Sequence, residues 1–565
     1  MITQLKFCLL FITILIAGCR QSSPSIKTAK QISVSEAAVV SAHPEASLIG
    51  ADILRRGGNA IDAAIAVQFA LAVCYPVAGN IGGGGFMVAR MNDGDVFALD
   101  FRETAPAAAH RDMYLDSIGN PVRDLSLKGH LAVGVPGTVD GMIRSFEKLS
   151  KLKDWKLLVE PSVRLAKEGF QITDKQARRL NKYSKNIKEL NNEVSAYTTD
   201  HTWKKGDLLI QEDLSRVLET IRDNKREGFY SSWVADSLVN EMKVNGGLIS
   251  YEDLKDYKSV WREAIRCNYR GYEIISMSPP SSGGIILCQL LQMVEDFDLN
   301  KMGFHSPDHI HLFAECERRA YADRSKHLGD SDFYPVPQEQ LLDSSYNRSR
   351  ISNFDPEKTT PSNSVSWGGI KESEETTHFS IIDQEGNVVS LTTTLNTAYG
   401  SKVLVDGAGF FLNNEMDDFS VKPGTPNYFG MVGQEANKIE ANKRMLSSMT
   451  PTIVLKDNLP VIVTGTPGGS TIITSVFQTI TNIIDFEMDA ATATNACRFH
   501  HQWLPDQIYL EEDCLDSITI HTLKDIGHQT KVRSPIGKVE TIVINPGGKI
   551  EAAGDRRGDD AASGF

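Results

Sequence analysis

The sequence has few cysteines, and they are far apart. Eight occur in 565 residues, at positions 8, 19, 74, 267, 288, 316, 497 and 514. None forms a C-x-x-C pair, so nothing supports a zinc or iron–sulfur frame. Basic charge is in deficit: 59 Lys and Arg face 72 Asp and Glu, a net charge of −13. Such a surface repels nucleic acid and anionic lipid, which argues against both as partners. The run Gly79-Asn80-Ile81-Gly82-Gly83-Gly84-Gly85 lacks the Lys-Ser/Thr of a phosphate loop and follows a helical pattern, so it reads as a place of close backbone packing. What is present is globular. Apolar residues are 41% and charged residues 23%, so neither disorder nor a multi-span membrane protein is expected. The length fits several domains or one large α/β sandwich.

The N-terminus reads as an address. Met1 to Lys6 is short and positive, and Phe7 to Ile16 is an apolar run too short to span a bilayer. It ends in Ala17-Gly18-Cys19, which resembles a bacterial lipoprotein signal in which Cys19 is lipidated. An ordinary secretory signal is the alternative. Either implies export to the cell envelope, with membrane contact only through the lipid. Residues 1–18 are then signal and 19–35 a polar tether. Cys74, Cys288 and Cys316 read as buried small hydrophobes.

His43-Pro44-Glu45 opens a helix running to Arg56, and Ala60 to Cys74 is apolar almost all round, a buried helix. Phe86–Met91 and Val96–Phe101 read as a hairpin around Asn92-Asp93-Gly94. Residues 140–260 are helical and charge-rich. Ser306-Pro307-Asp308 starts a helix carrying His309, His311, Glu315 and Cys316. His311 and Glu315 are one turn apart, but no further ligand set is apparent, so a solvated helix face is expected and no metal is assigned.

Residues 354–375 form an acidic, Ser/Gly/Pro-rich connector. Two strands follow, Thr377 to Ile382 and Val388 to Leu395, around Gln384-Glu385-Gly386-Asn387. A two-residue turn would put Thr377 opposite Thr394; a bulge or a bent end would bring Thr376 there instead. Threonine hydroxyls are poor nucleophiles without a base. If the Glu375–Thr376 bond is cut, the freed α-amine supplies one, with an unperturbed pKa of about 7.7–8.0. His378 is discounted as a partner of Thr377, since adjacent strand residues point to opposite faces. Further on, Val461 to Gly465 is a strand, then Thr466-Pro467-Gly468-Gly469-Ser470 leads into a helical segment, Thr471 to Phe486. Ser470 reads as its N-cap, and the glycines can aim bare N–H groups at a developing anion.

On these residues the chain resembles the γ-glutamyltransferase (glutathione hydrolase) family over nearly its whole mature length. The matching blocks are Asp100-Phe101-Arg102-Glu103-Thr104-Ala105-Pro106, Ala320-Tyr321-Ala322-Asp323-Arg324, Thr376-Thr377-His378, Asn413-Asn414-Glu415-Met416-Asp417-Asp418-Phe419, Leu446-Ser447-Ser448-Met449, Pro467-Gly468-Gly469-Ser470 and Arg498-Phe499-His500-His501. The resemblance implies an α/β fold, the N-terminal-nucleophile αββα sandwich. It would be one heterodimeric domain from a self-cleaved precursor, with a large piece at 36–375 and a small one at 376–565. It implies that Thr376 is the nucleophile of self-cleavage and catalysis, that Thr394 orients it, and that Gly468 and Gly469 form the oxyanion hole. Arg102, Ser447 and Ser448 would hold the substrate α-carboxylate, and Asn396, Glu415 and Asp418 the α-ammonium. Substrates would be glutathione and other γ-glutamyl compounds, with water, amino acids or dipeptides as acceptors and no cofactor.

Related β-lactam side-chain acylases and capsule-processing enzymes are the rival readings, as is a non-catalytic envelope lipoprotein that binds γ-glutamyl peptides. Pro423 to Gln434 occupies the position of the family's lid, which favours the glutamyl enzyme over the acylase. Tyr428 and Phe429 stand where bacterial relatives often place a tyrosine next to the equivalent of Gly430. Phe429 lacks a hydroxyl, so a looser lid and a bias towards hydrolysis are expected.

Overall fold

The computed structural model describes residues 25–122, 124–191, 195–365, 376–422 and 434–565. The expected signal and Cys19, the cleavage-site residue Glu375, and the lid residues Tyr428 and Phe429 lie outside the described residues.

Two antiparallel sheets stack face to face. The first runs Lys27–Ala29, Ala561–Gly564, Ala38–Ser41, Thr376–Ile382, Val388–Thr394, Gly84–Arg90, Val96–Asp100, Val260–Arg262. The second runs Gln31–Val34, Ile550–Gly554, Glu540–Ile544, Leu459–Gly465, Thr452–Lys456, Tyr272–Ser276, Ile265–Tyr269. Between them lies an apolar layer from both: Val40, Phe86, Val88, Val388 and Ala562 meet Ile275, Ile453, Val463, Ile542 and Ala552. Helices cover each outer face. Pro44–Arg55 and Ala60–Cys74 pack on the first sheet and Gly283–Val294, Pro307–His327 and Thr471–Ile484 on the second. This is the expected αββα sandwich. The helix Ala60–Cys74 is buried along its entire length, as its all-round apolar sequence requires.

Three expectations need correction. Part of the expected tether at 19–35 is sheet: Lys27–Ala29 pairs with Ala562–Gly564, and Gln31–Val34 pairs with Ile550–Ala553. Polar composition hid these strands because they lie at sheet edges, exposed on one side. Cys288 is not a free thiol but bonded to Cys267; Cys497 pairs with Cys514 as well. The helix Pro307–His327 has no solvated face over His309 to Ser325, all of which are buried. Some of its charges are paired within the helix itself. Glu315 receives Arg318 at 3.2 Å and Arg319 at 2.6 Å.

Glycines Gly82 to Gly85 perform the close packing expected of them. A Cβ on Gly83 would lie 2.2 Å from the Thr394 carbonyl oxygen, and one on Gly85 2.3 Å from that of Thr392. The strand Gly84–Arg90 can thus lie flush against Val388–Thr394.

Candidate active site

The hairpin Thr376–Ile382/Val388–Thr394 places the central pair. Its register puts Thr376 directly opposite Thr394. The two-residue turn expected from sequence is in fact a three-residue one. Asp383 and Asn387 close it through N–H to C=O at 3.1 Å, Gly386 takes φ +84°, and the Asp383 carboxylate accepts the amides of Glu385 and Asn387, both at 2.9 Å. The extra residue shifts the count by one, so neither bulge nor bent end is needed. Thr376 donates its hydroxyl to the Thr394 hydroxyl at 3.5 Å, and that oxygen accepts the Asn396 amide at 2.7 Å. Asn80 holds the end of the second strand by donating to the Thr394 carbonyl at 2.9 Å.

His378 stays out of this pair. Its ring nitrogens meet Thr392 at 2.8 Å and Ser380 at 3.1 Å, and burial lowers its pKa to about 3. It is a neutral core imidazole, as its discounting required.

One small cavity joins Thr376 and Thr394 with Arg102, Asn396, Glu415, Asp418, Ser447, Ser448 and Gly469. Nine of the ten expected catalytic and binding residues line it; Gly468 precedes Gly469 in the same turn. Arg102 enters from the end of the strand Val96–Asp100 and is fully buried. Its guanidinium pairs with Glu415 at 2.6 Å and Asp418 at 2.5 Å, and Glu103 stands at 3.7 Å. Three carboxylates around one guanidinium leave an excess of negative charge in a dry place. Burial, with the neighbouring acids, accordingly pushes the Glu415 and Glu103 carboxyls well up. Asn413 sets this acidic turn: its side chain accepts the Gly134 and Glu415 amides and donates to the Gly82 and Gly134 carbonyls.

Ser447 and Ser448 are held by a segment that the sequence reading passed over, Pro279-Pro280-Ser281-Ser282. Ser447 N–H donates to the Pro280 carbonyl at 2.9 Å, and Ser282 donates its amide and hydroxyl to the Ser447 carbonyl, each at 2.7 Å. Arg324 donates to the Ser448 hydroxyl at 2.8 Å. A Pro-Pro-Ser-Ser-Gly-Gly run before a helix is a turn signal, but its partner lies 165 residues away, beyond any local pattern.

Ser470 is not the side-chain cap expected. It has helical φ and ψ and caps nothing with its side chain, whose hydroxyl instead donates to Gln502 at 2.9 Å. Gly468 and Gly469 take φ +140° and +57°. The tripartite group His311, Glu315 and His528 has ligand atoms within 4.8 Å of one another. Its carboxylate is already saturated: one oxygen accepts Arg318, Thr359 and the Thr360 amide, and the other accepts Arg319. We assign it no metal.

The geometry suits acyl transfer through a threonine ester. Comparison with known proteins agrees. Residues 46–565 match the family described as Gamma-glutamyltranspeptidase. The chain is 45% identical to the Escherichia coli glutathione hydrolase proenzyme over 93% of this chain and 91% of that one. The Helicobacter pylori gamma-glutamyltranspeptidase structure is 43% identical over 57% of this chain and 93% of its own, with a TM-score of 0.55. A cephalosporin acylase from Bacillus halodurans shares the fold, at a TM-score of 0.84 and 24% identity, over 96% of this chain and 98% of its own.

Proposed function

The chain belongs to the γ-glutamyltranspeptidase family, and from that premise we propose how its own residues carry the reaction. The protein is a glutathione hydrolase and γ-glutamyltransferase of the threonine N-terminal-nucleophile type, made as a self-processing precursor. Self-cleavage falls between Glu375 and Thr376, giving a large piece that ends at Glu375 and carries the strands Lys27–Ala29 and Gln31–Val34, and a small piece 376–565. The freed Thr376 amine then takes the proton of its own hydroxyl as that oxygen attacks the γ-carbonyl. Thr394 orients the hydroxyl. The oxyanion rests on the amides of Gly468 and Gly469, the γ-amide C–N bond breaks as the substrate's own amine leaves with the proton returned by the Thr376 amine, and a γ-glutamyl ester forms on Thr376. Water completes hydrolysis; an amino acid or dipeptide completes transfer.

The observation that carries this reading is the cavity that gathers Thr376 with a guanidinium and two carboxylates. An α-amino acid brings one charge of each sign. Its carboxylate pairs with Arg102, beside the Ser447 and Ser448 hydroxyls, while its ammonium pairs with Glu415 and Asp418, beside Asn396. A simple acyl group brings neither charge, so Arg102, Glu415 and Asp418 would stay paired with one another and add nothing to its binding. This argues against the acylase reading. Export and lipid attachment at Cys19 rest on the N-terminal sequence pattern alone and are part of the same proposal.

The test uses a denaturing gel and a glutathione assay. Wild type should run as two bands, release glutamate when water is the acceptor, and consume glutathione faster with an acceptor dipeptide present. Thr376→Ala should run as one band and be inactive. A fully active, uncut wild-type chain would sink the proposal, because the base would have to be another group.

A further inference from the structure

Gly468 and Gly469 are one residue apart, and their amides belong to consecutive peptide planes. Both peptides are trans; among the described residues the cis bonds are Pro279–Pro280 and Leu504–Pro505. In a trans peptide the C=O and N–H point in opposite directions. The direction of each amide is therefore set by whatever holds the carbonyl behind it. For the first plane that carbonyl is Pro467's, and the Thr466 hydroxyl donates to it at 2.8 Å. For the second it is Gly468's, which accepts the Thr471 hydroxyl at 2.7 Å and the Thr471 amide at 3.1 Å. Thr466 and Thr471 are buried. Thr466 is itself fixed, since its oxygen accepts the Lys538 amide at 2.8 Å. That acceptance leaves its proton for Pro467. Neither the Gly468 nor the Gly469 amide donates to another described residue.

We propose that Thr466 and Thr471 are positioning residues that preset the two-amide oxyanion hole, each hydroxyl tethering the carbonyl of one of the two peptide planes. This rests on the reading of Gly468 and Gly469 as oxyanion donors. The tether acts twice. It stops a glycine-rich turn from rotating its amides away, which two left-handed glycines would otherwise allow. It also polarises each peptide, because a hydrogen bond accepted at C=O strengthens the N–H of the same unit as a donor. Both effects matter only when negative charge develops on the substrate oxygen, so they belong to the transition state and not to substrate binding.

Two further contacts brace the turn from behind. Tyr321 donates its hydroxyl to the Ser470 carbonyl. The side chain of Gln502 receives both the Ser470 hydroxyl and His500 Nε2–H at 2.9 Å. An amide oxygen only accepts, so His500 must carry its proton on Nε2, and the Thr474 hydroxyl at 2.9 Å then donates to Nδ1.

The experiment compares Thr466→Val and Thr471→Val with Thr466→Ser and Thr471→Ser, and adds the alanine variants in case valine does not fit. Each is assayed with a γ-glutamyl anilide, with kcat normalised to the fraction that runs as two bands. Affinities are measured for L-glutamate and for its analogue with a boronic acid in place of the γ-carboxyl, which adds to a hydroxyl as a tetrahedral anion. The valine and alanine variants should lose about three- to tenfold in kcat with KM unchanged. They should weaken the boronate by a similar factor while L-glutamate binds as before, and serine should restore both. Wild-type kcat and boronate affinity in the valine and alanine variants would overturn the proposal. So would failure of serine to rescue, or a parallel loss of L-glutamate binding, since either marks a merely structural role. A crystal structure of the wild-type boronate adduct tests the underlying reading separately. An adduct oxygen more than about 3.5 Å from both amides removes the oxyanion hole itself, whatever the threonine variants do.

Discussion

Arg102 shows how much chemistry depends on the shape of one group. A guanidinium offers a rigid fork to two oxygens, which an ammonium of equal charge cannot reproduce. Arg102→Lys should therefore lower kcat/KM for glutathione by about thirtyfold or more, near 2 kcal/mol, while self-cleavage proceeds. Steady-state kinetics on the two-band protein checks this; unchanged kinetics would remove Arg102 from the site. Two residues behind Glu415 lies Asp417, buried and accepting the Ser126 hydroxyl at 2.6 Å. Burial raises its pKa from 3.8 to about 7. The fold then holds a proton that the unfolded chain has already released. Stability from this group is lost as pH rises from about 4 to about 7, and the loss is complete above that. Asp417→Asn is neutral throughout and lacks this slope. Its Tm relative to wild type should climb between pH 4 and pH 8, and a difference independent of pH would show that Asp417 is ionised in the fold.

At the scale of elements, the strand Gly84–Arg90 and the loop before it act as a template for the catalytic hairpin. Asn80 donates to the Thr394 carbonyl and the Thr393 hydroxyl while its own oxygen accepts the Gly83 amide and the Thr138 hydroxyl. Gly83 leaves just enough room for this. Alanine there would press its Cβ against the Thr394 carbonyl, a backbone atom that cannot swing aside. Gly83→Ala should cost about 1–3 kcal/mol of stability, as overpacking does, and displace Thr394 from Thr376. The expected readouts are a lower Tm and at least a tenfold fall in the rate at which one band becomes two. Processing at the wild-type rate would mean that the hairpin is positioned from elsewhere.

For the whole molecule, the proposed cut before Thr376 would fall inside a shared sheet and not between domains. Thr376–Ile382 pairs with Ala38–Ser41, and Val388–Thr394 pairs with Gly84–Arg90, so the small piece's catalytic hairpin lies between strands of the large one. The C-terminal strand Ala561–Gly564 in turn lies between Lys27–Ala29 and Ala38–Ser41. Separating the pieces would break both sheets and open their common apolar layer. After processing, the two pieces should co-elute as one species on size exclusion and unfold together in a single denaturant transition. Separation of folded pieces in native buffer would contradict this interleaving.

Much of this was legible in the sequence, because local patterns have local causes. The all-round apolar helix Ala60–Cys74, the hairpin that follows the acidic connector, the glycine run as a packing surface and the turn at Pro467-Gly468-Gly469 each follow from residues within a few positions of one another. The resemblance supplied nine cavity-lining residues, seven of them inside the quoted blocks and Thr394 and Asn396 outside them, but as a set learned from kinship and not from spacing. Only the tertiary structure decided the rest. The hairpin register turned on one extra turn residue, held by the Asp383 carboxylate and the left-handed Gly386. The face carrying His311 and Glu315 looked solvated until the fold buried it, with Arg318 and Arg319 of the same helix paired to Glu315. The support of Ser447 by Ser282, the disulfide from Cys267 to Cys288 and the role of the Ser470 hydroxyl depend on approaches across layers. A hydrogen bond between residues far apart in the chain leaves no periodicity in the sequence; it exists only once two sheets and their helices have closed around one core.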